Sequence, residues 1–364
     1  MSTKSYYLYI KQFSHDGQTW INVQPLTYSY NGDGTMTPDV KEERDVACGA
    51  DYSKQYLTIE SLEDNNVIYI IAQRYNNDIN PKTISASTDG GETWTEYTST
   101  SGGTMLATLN TGDKLLLKGE NASYAVGSKT RYNNFYVTKQ YNVYGNIMSL
   151  VSGDTFDDAD TLTENYTFDS MFNGSTTLVS AENLILPATT LARGCYQYMF
   201  NGCTSLTTAP ELPATTLAQN CYLGMFNGCT SLTAAPELPA TTLKNNCYRG
   251  MFEGCTSLTT APALPATTVA QYCYCLMFEG CTSLTTAPEL PATTLGDGCY
   301  NAMFAGCTNL NYIKCLATNI LTFDSTQNWV QNVAATGTFV KAASMNDWTT
   351  GVSGIPSGWT VQNA

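Results

Sequence analysis

Histidine is almost absent from this sequence, which has one, His15, in 364 residues. Catalytic triads rely on a histidine general base, and many metal sites rely on several imidazole ligands. A single histidine close to the N-terminus therefore argues against most triads and most histidine-based metal sites.

Charged side chains are also scarce, at 13% of the residues, about half the usual share. Lys and Arg number 17 against 31 Asp and Glu, which gives a net charge of −14. Binding to nucleic acid without sequence preference requires clustered basic residues that displace counterions. This balance therefore predicts no nucleic-acid partner.

Long hydrophobic runs are missing as well. The best run, residues 67–72, is typical of a buried strand and far shorter than the roughly 20 apolar residues of a membrane helix. The N-terminal sequence has no apolar segment followed by a small-residue cleavage site. We therefore expect no membrane insertion and no export by the ordinary secretory route.

What the chain does have is an internal repeat. Its units begin at a constant step of 26 residues, at Cys195, Cys221, Cys247, Cys273 and Cys299. The Met-Phe pair of the unit adds one degenerate copy at Met171, so six coils span about 161–316. A period of this length with leucines at fixed places predicts a solenoid.

Within one unit, Cys221, Met225 and Cys229 have the i, i+4, i+8 spacing of one helix face. We expect a short helix there, ended by Gly228, and then a short extended stretch before two prolines. The last unit has no prolines at the corresponding place, residues 313–317, so we expect a true strand there that pairs with the C-terminal segment.

These units resemble the BspA-type (treponemal-type) leucine-rich repeat, through the segments LPATTL and MFNGCTSL. The unit is longer than the usual unit of that family and has an additional proline. The family occurs on the surfaces of gut and oral bacteria and in their phages. The resemblance implies adhesion or binding, with no catalysis and no cofactor.

Twelve of the 13 cysteines lie in the repeats and Cys48 stands alone. Cys221 and Cys229 would be roughly 12 Å apart along a helix, which is too far for a disulfide. No CxxC pair or histidine supports a metal site. We therefore expect buried free thiols, with Cys275 as the exposed one, and assembly in a reducing cytoplasm.

The expected fold class is mixed, with an N-terminal β-sandwich, a short leucine-rich-repeat solenoid of six coils and a small C-terminal cap. The corresponding domains are an N-terminal docking segment (1–50), the β-sandwich (51–152), the solenoid (153–316) and the cap (317–364). The sandwich is predicted from short β-rich runs that are separated by Gly, Asn and Asp turns.

Residues 87–94, Ser-Thr-Asp-Gly-Gly-Glu-Thr-Trp, match the Asp-box pattern, and residues 14–20 are one residue short of it. Asp boxes recur in sialidases, but those enzymes need a larger β-propeller and an arginine cluster. Only Arg44, Arg74 and Arg131 occur in this half. We therefore interpret the box as a structural turn and disfavour a glycan-active enzyme.

An acidic cluster formed by Asp154, Asp157, Asp158 and Asp160 lies where the sandwich should meet the solenoid. It lacks the ligand spacing of a calcium-binding loop. We interpret it as a solvated linker, and calcium binding is left open.

Comparing the repeats with one another suggests two candidate binding surfaces. One is a row of hydroxyls, and the other consists of residues at positions that vary between repeats. The candidate residues are Thr207, Thr208, Thr233, Thr259, Thr260, Thr285 and Thr286 in the row, and Asn245, Arg249 and Tyr272 at variable positions. The alternative for the threonines is a purely structural role.

These observations favour a non-enzymatic adhesion or recognition protein, a fibre or decoration component of a phage virion. It would be assembled in the bacterial cytoplasm and present the repeats to a host-surface glycan or protein. The N-terminal segment would contact other virion proteins, and a fibre would be a homotrimer by analogy. The alternative is a bacterial cell-surface adhesin that binds host or matrix proteins.

Overall fold

The computed structural model describes the strands Tyr28–Tyr30 and Met36–Pro38 and residues 51–364, except 75, 77 and 128–130. The chain divides into two compact units, Met1–Asp51 and Tyr52–Ala364. The two N-terminal strands pair antiparallel. The rest of the predicted docking segment, with His15, Arg44, Cys48 and residues 14–20, lies outside the described residues.

Short strands dominate the described residues, and helices are few. The helices are α1 (Ser149–Ser152) and the 3-10 helices Tyr52–Lys54, Gly153–Thr155 and Phe323–Thr326. The strands are β1 (Tyr28–Tyr30), β2 (Met36–Pro38), β3 (Leu57–Ser61), β4 (Asn66–Ala72), β5 (Thr83–Ser87), β6 (Thr95–Thr98), β7 (Thr104–Leu109), β8 (Lys114–Lys118), β9 (Ala125–Val126), β10 (Arg131–Val137), β11 (Tyr141–Asn146), β12 (Leu178–Ser180), β13 (Leu184–Ile185), β14 (Thr294–Leu295), β15 (Tyr312–Cys315), β16 (Asn319–Ile320), β17 (Thr338–Lys341) and β18 (Thr360–Asn363).

Strands β3 to β13 form two sheets. One has the order β7-β4-β10-β9, and the other has the order β12-β11-β3-β8-β5-β6, with β13 also paired to β11. Side chains of β4 alternate between buried and half-buried, as expected for a strand with one face in a core. Ile68, Ile70 and Ala72 are on its buried face, and residues of both sheets belong to one hydrophobic cluster.

The sheets continue directly into the first repeat. Strand β11 pairs in parallel with β12 and β13, both of which belong to that repeat. In addition, the Phe135 amide donates to the Met171 carbonyl at 2.9 Å, and the Tyr124 amide donates to the Thr167 carbonyl at 2.8 Å. Hydrogen bonds therefore run from the sheets into the repeats without interruption.

The segment predicted to be helical in each repeat is a series of linked turns. Every fourth residue has a left-handed backbone, as at Asn220, Gly224 and Gly228, with φ of 60°, 58° and 74°. A right-handed helix cannot contain such residues. The i, i+4, i+8 spacing was misleading because these turns also repeat every four residues.

The expected fold class, a mixed fold with a β-sandwich and a leucine-rich-repeat solenoid, is therefore wrong. The described chain is 26% strand and 4% helix, arranged in several separate sheets. The short helix that such a repeat would contribute is replaced by turns, which form no regular helix.

Backbone amides in these turns alternate between two acceptors. The Met225 amide donates to the Tyr222 carbonyl of its own turn at 3.2 Å, whereas the next amide, of Phe226, donates to the Met251 carbonyl in the following repeat at 2.9 Å. The same alternation recurs in the other repeats. Every second amide therefore ties one repeat to the next.

Two columns of aromatic rings run through the stacked repeats. Tyrosines form one column with ring centroids 5.8–6.1 Å apart, and phenylalanines form the other at 5.4–5.8 Å. Both columns end on Trp329, which is fully buried. The members are Tyr196, Tyr222, Tyr248, Tyr274 and Tyr300, and Phe172, Phe200, Phe226, Phe252, Phe278 and Phe304.

The end of the last repeat is a strand, which confirms the prediction for residues 313–317. Strand β15 pairs in parallel with β17, and β17 pairs with β18. Since proline has no amide to donate, its absence here permits this sheet. Trp329 also stacks on Trp348 at 5.4 Å, so the final residues cover the last ring of both columns.

Replacing Ala302 by glycine tests the linked turns against a helix. Ala302 has φ of 50°, and a left-handed alanine costs roughly 1–2 kcal/mol that glycine does not. Ala302→Gly should therefore raise the free energy of unfolding, measured with urea, by about 1 kcal/mol. In a helix the same change would lower it by about 1 kcal/mol.

The matched control is Ala305→Gly, which removes a buried methyl group three residues later, where φ is not left-handed. This variant should be less stable than the wild type. Destabilisation by both variants would contradict the linked turns.

Candidate functional site

The predicted threonine row lies along the stack, on neighbouring repeats. Thr207, Thr233, Thr259, Thr260, Thr285 and Thr286 are exposed, and Thr208 is half-buried. Parallel bridges join Ser180 to Thr208, Ala234 to Thr260 and Thr286 to Tyr312, and the Thr259 amide donates to the carbonyl of Thr233, the corresponding member of the preceding repeat, at 3.0 Å.

Hydroxyls of this row are engaged by the backbone. The Thr207 amide and hydroxyl both donate to the Val179 carbonyl, at 2.9 and 3.0 Å, and Thr259 makes the same pair of bonds to the Thr233 carbonyl, at 3.0 and 3.1 Å. Thr208 shares a hydrogen bond of 2.6 Å with Ser180. These contacts support the structural role that the sequence left as the alternative.

The other three predicted residues lie together on a different part of the repeat. Asn245 and Arg249 are exposed and Tyr272 is half-buried. The Arg249 guanidinium carbon is 6.0 Å from the Tyr272 ring centroid, and Asn245 Nδ2 donates to Gln271 Oε1 at 3.4 Å. We call this surface the variable edge, formed by Tyr166, Arg193, Tyr198, Lys244, Asn245, Arg249, Gln271 and Tyr272.

Three tyrosines of the variable edge lie across a glycine of the following repeat. A methyl group on Gly298 would overlap with Tyr272 Cε1, so only glycine leaves room for that ring. The Tyr272 hydroxyl reaches further and donates to Asp324 Oδ2 at 3.2 Å. The pairs are Tyr166 over Gly194, Tyr198 over Gly224 and Tyr272 over Gly298.

Sequence reasoning included Tyr272 but missed Tyr166, Tyr198 and Arg193. The Arg193 guanidinium carbon is 6.0 Å from the Tyr166 ring centroid, the same distance as between Arg249 and Tyr272, although Arg193 belongs to the repeat after its tyrosine and Arg249 to the repeat before. The sequence did contain a signal for the tyrosines. At the position that each tyrosine occupies in its repeat, the next repeat has a glycine.

The hydroxyls of Tyr198 and Tyr272 stay protonated at neutral pH. The hydrogen bond to Asp324, together with its negative charge, raises the pKa of Tyr272. Burial is the main cause that raises the pKa of Tyr198. The edge therefore presents neutral hydroxyls, amides and guanidinium groups.

All twelve cysteines in the described residues are free and buried. Cys229 Sγ donates to the Phe200 carbonyl at 3.1 Å, and Cys203, Cys255, Cys281 and Cys307 make the corresponding bond. Burial raises the pKa of the Cys255 thiol to about 12. The prediction that Cys275 is exposed is wrong, since it is 4% exposed and burial raises its pKa to about 11.

The Asp-box residues hold their own turn together. Asp89 accepts hydrogen bonds from the Ser87 hydroxyl at 2.7 Å and from the Thr93 amide at 3.0 Å, and these and the Thr93 hydroxyl lower the pKa of Asp89. Trp94 packs on Tyr56, with ring centroids 4.9 Å apart. Both contacts are structural.

The described arginines of this half do not converge. Arg74 donates to the Ser101 hydroxyl at 2.6 Å, and Arg131 pairs with Asp78. Neither contact brings the two arginines to a common site.

Two residues of the acidic cluster, Asp154 and Asp160, make side-chain contacts. Asp154 pairs with Lys118 at 2.7 Å and accepts a hydrogen bond from the Tyr56 hydroxyl at 2.8 Å. Asp160 accepts one from the Thr161 hydroxyl at 3.0 Å. In the part of the chain that the structure describes, no three His, Cys, Asp or Glu side chains are grouped to hold a metal ion.

Sequence reasoning also missed a polar pocket of about 450 Å³ between the second sheet and the acidic cluster. Lys118 lines it and also lies over the Trp94 ring, 4.3 Å from the centroid. The other lining residues are Thr83, Ile84, Ser85, Glu96, Gly119, Glu120, Asn121, Gly153 and Asp154.

No family model, curated protein or solved structure matches this chain. No helix in the described part of the chain has the length and apolar character that crossing a bilayer demands. Because no comparison points to a site, we choose the variable edge as the candidate functional site from its geometry alone.

Gly298→Ala tests whether the glycine makes room for the Tyr272 ring. The left-handed backbone costs an alanine roughly 1–2 kcal/mol, and displacing the ring adds about 1–3 kcal/mol. Gly174→Ala is the control, because Gly174 also has positive φ but a methyl group there meets nothing within 4 Å. Denaturation should show Gly298→Ala to be the more destabilising change.

When Tyr272 is also replaced by alanine, Gly298→Ala should destabilise the protein no more than Gly174→Ala does. If Gly298→Ala remained the more destabilising change without the tyrosine ring, the contact between Tyr272 and Gly298 would be contradicted.

Thiol reactivity tests the burial of the cysteines. Because a thiolate is the reactive form and burial disfavours it, at most one thiol should react with Ellman's reagent in the native protein under mildly alkaline conditions. All 13 should react after denaturation. Fast reaction of several thiols in the native protein would contradict the structure of the repeats.

Proposed function

We propose that this chain is a non-enzymatic recognition protein that binds a cell surface through the variable edge of its repeats. The observation that carries the proposal is the division of each repeat into a constant interior and a varied edge. Tyr222, Met225, Phe226 and Cys229 are at most 1% exposed, and their equivalents recur, whereas the exposed Asn245 and Arg249 have no constant equivalents.

This division is what a scaffold for recognition requires. Interior side chains must recur because each contacts its equivalents in the neighbouring repeats. Edge positions are free of that constraint, so they can carry side chains chosen for a partner. Rigid support by hydrogen-bonded backbone lowers the entropy lost when such side chains bind.

We further propose a phage virion as the setting, with the protein assembled in the bacterial cytoplasm. Support comes from the twelve buried free thiols, since cysteine-rich proteins of oxidising compartments normally form disulfides. A fibre would be homotrimeric by analogy, and docking on the particle would fall to residues 1–50. A bacterial cell-surface adhesin is the alternative, and detection of the chain in purified phage particles distinguishes the two.

Cell binding tests the role of the edge. The fluorescently labelled full chain should bind Bacteroides-type cells in flow cytometry. Asn245→Ala combined with Arg249→Ala should weaken this binding at least tenfold, because both side chains are exposed on the edge. The matched control is Glu211→Ala, an exposed charge on the proline segment, which should bind like the wild type.

Equal binding by the edge variant and the wild type would refute the edge as the recognition surface. A lack of binding by the wild type to any such cell would refute cell recognition itself.

A further inference from the structure

We propose that two copies of this chain associate through strand β18, which pairs antiparallel with the β18 strand of the second copy and joins the two sheets into one. This proposal goes beyond the proposed function and does not depend on it. It rests on the unpaired backbone of β18, on the lack of any feature that blocks this edge and on the scarcity of charge around it.

The backbone of β18 is hydrogen-bonded on one side. It is the outer strand of the sheet β15-β17-β18, and among the described strands it pairs only with β17. The Thr360 amide donates towards β17, to the Gly337 carbonyl at 2.8 Å. Backbone groups of successive residues in a strand point to opposite edges. The amides and carbonyls of Val361 and Asn363 therefore point away from β17.

This outer edge of β18 is open to solvent. All four residues of Thr360–Asn363 are exposed. Val361 pairs with Phe339, which is fully buried, but Val361 itself is 45% exposed. The edge therefore combines unpaired amides and carbonyls with an apolar side chain at the rim of the core. The ligand that matches such a row of backbone groups is an extended polypeptide strand.

The edges of the two sheets formed by β3 to β13 are blocked, whereas β18 is not. Strand β6 carries Glu96, β7 has a register shift against β4, β9 has two residues, and β12 is followed by the next repeat, where Ser180 pairs with Thr208. Charges, irregular pairing, short length and covering all prevent an edge from pairing with another chain. Strand β18 contains no charged residue and no proline, and its register is regular over all four pairs.

A second β18 strand satisfies this edge completely. In an antiparallel pair centred on Gln362, Val361 of each copy lies opposite Asn363 of the other copy. The outward amides and carbonyls of both residues are then all used, in four hydrogen bonds. The arrangement has two-fold symmetry, so two identical chains supply each other with the same groups. This self-complementary register selects a second copy as the partner.

The charge distribution also permits two copies to meet here. The chain has a net charge of −14, which opposes self-association over most of its surface. Among residues 342–364, which form the segment around β18, Asp347 is the only charged side chain. Contact at this edge therefore brings little like charge together.

A dimer of this kind has a consequence for recognition. It carries two variable edges, so it should bind a surface with many copies of its partner more tightly than a single chain does. The two edges need no new contact for this gain.

The test is the mass of the full chain in solution, measured by sedimentation equilibrium from low concentration up to the solubility limit. Asn363→Pro removes an outward amide and leaves the hydrogen bonds to β17 in place, so its mass should be half that of the wild type. Asn363→Ala keeps the amide and is the matched control, which should have the wild-type mass. The factor of two holds for a dimer of single chains and equally for a dimer of trimers.

A charge exchange at Gln362 identifies the partner as a second β18 strand. Gln362→Lys and Gln362→Glu each place like charges opposite one another across the two-fold axis. Each variant alone should raise the dissociation constant at least tenfold, whereas an equimolar mixture of the two should regain the wild-type mass. Gln362 is exposed, so both variants should fold, and thermal unfolding checks this for every variant.

Three results would overturn the proposal. The first is a wild-type mass equal to that of Asn363→Pro at every concentration, and the second is a wild-type mass that none of the variants changes. The third is a mixture of Gln362→Lys and Gln362→Glu that stays at half the wild-type mass. None of these results bears on cell binding, which is tested separately on the variable edge.

Discussion

The structure of the repeats depends on the alternation of backbone amides in the linked turns. With a left-handed residue at every fourth position, one backbone amide donates to a carbonyl of its own turn and the next amide donates to a carbonyl of the following repeat. In an α-helix every interior amide is used within the helix, so none would remain for the neighbouring repeat. The turns can therefore join successive repeats through their backbone, which a helix could not do.

The constant residues follow from this backbone. Because equivalent atoms of successive repeats are held at hydrogen-bonding distance, equal side chains must stack on equal side chains. Flat rings accept such stacking, and the tyrosine column keeps its ring planes within 3–32° of parallel. Cysteine suits the position three residues after each phenylalanine of the column because its thiol is small and can donate to a carbonyl of the preceding repeat, as Cys229 does to Phe200.

Much of the repeat could be predicted from its sequence, but its local conformation could not. The period, the free thiols and the strand at residues 313–317 were readable because they follow from spacing, from cysteine number and from missing prolines. The turns were mistaken for a helix because both place residues four apart on one side. Glycine marks the last left-handed position of every repeat, but Tyr198, Leu276 and Ala302 have positive φ without being glycine, so residue type did not mark the other positions.

The candidate site could likewise be predicted only in part from the sequence. Asn245, Arg249 and Tyr272 were found because they vary between repeats, a property of the sequence alone. Their contacts with Gln271 and Asp324 depend on which side chains meet across repeats, and the expected helix would have placed them differently. For the threonine row the sequence left a binding surface and a structural role open, and Thr207 and Thr259 each donate to a backbone carbonyl, as the structural role requires.

Both ends of the stack need a partner for the same physical reason. A repeat at an end has amides, carbonyls and ring faces with no neighbouring repeat to contact them. At the first end, β10 and β11 supply backbone partners, and Phe135 lies 5.8 Å from the first ring of the phenylalanine column, Phe172. At the other end, Trp329 covers both columns and is itself covered by Trp348. Since each interior repeat satisfies only its neighbours, the variable edge can change one repeat at a time without disturbing either end.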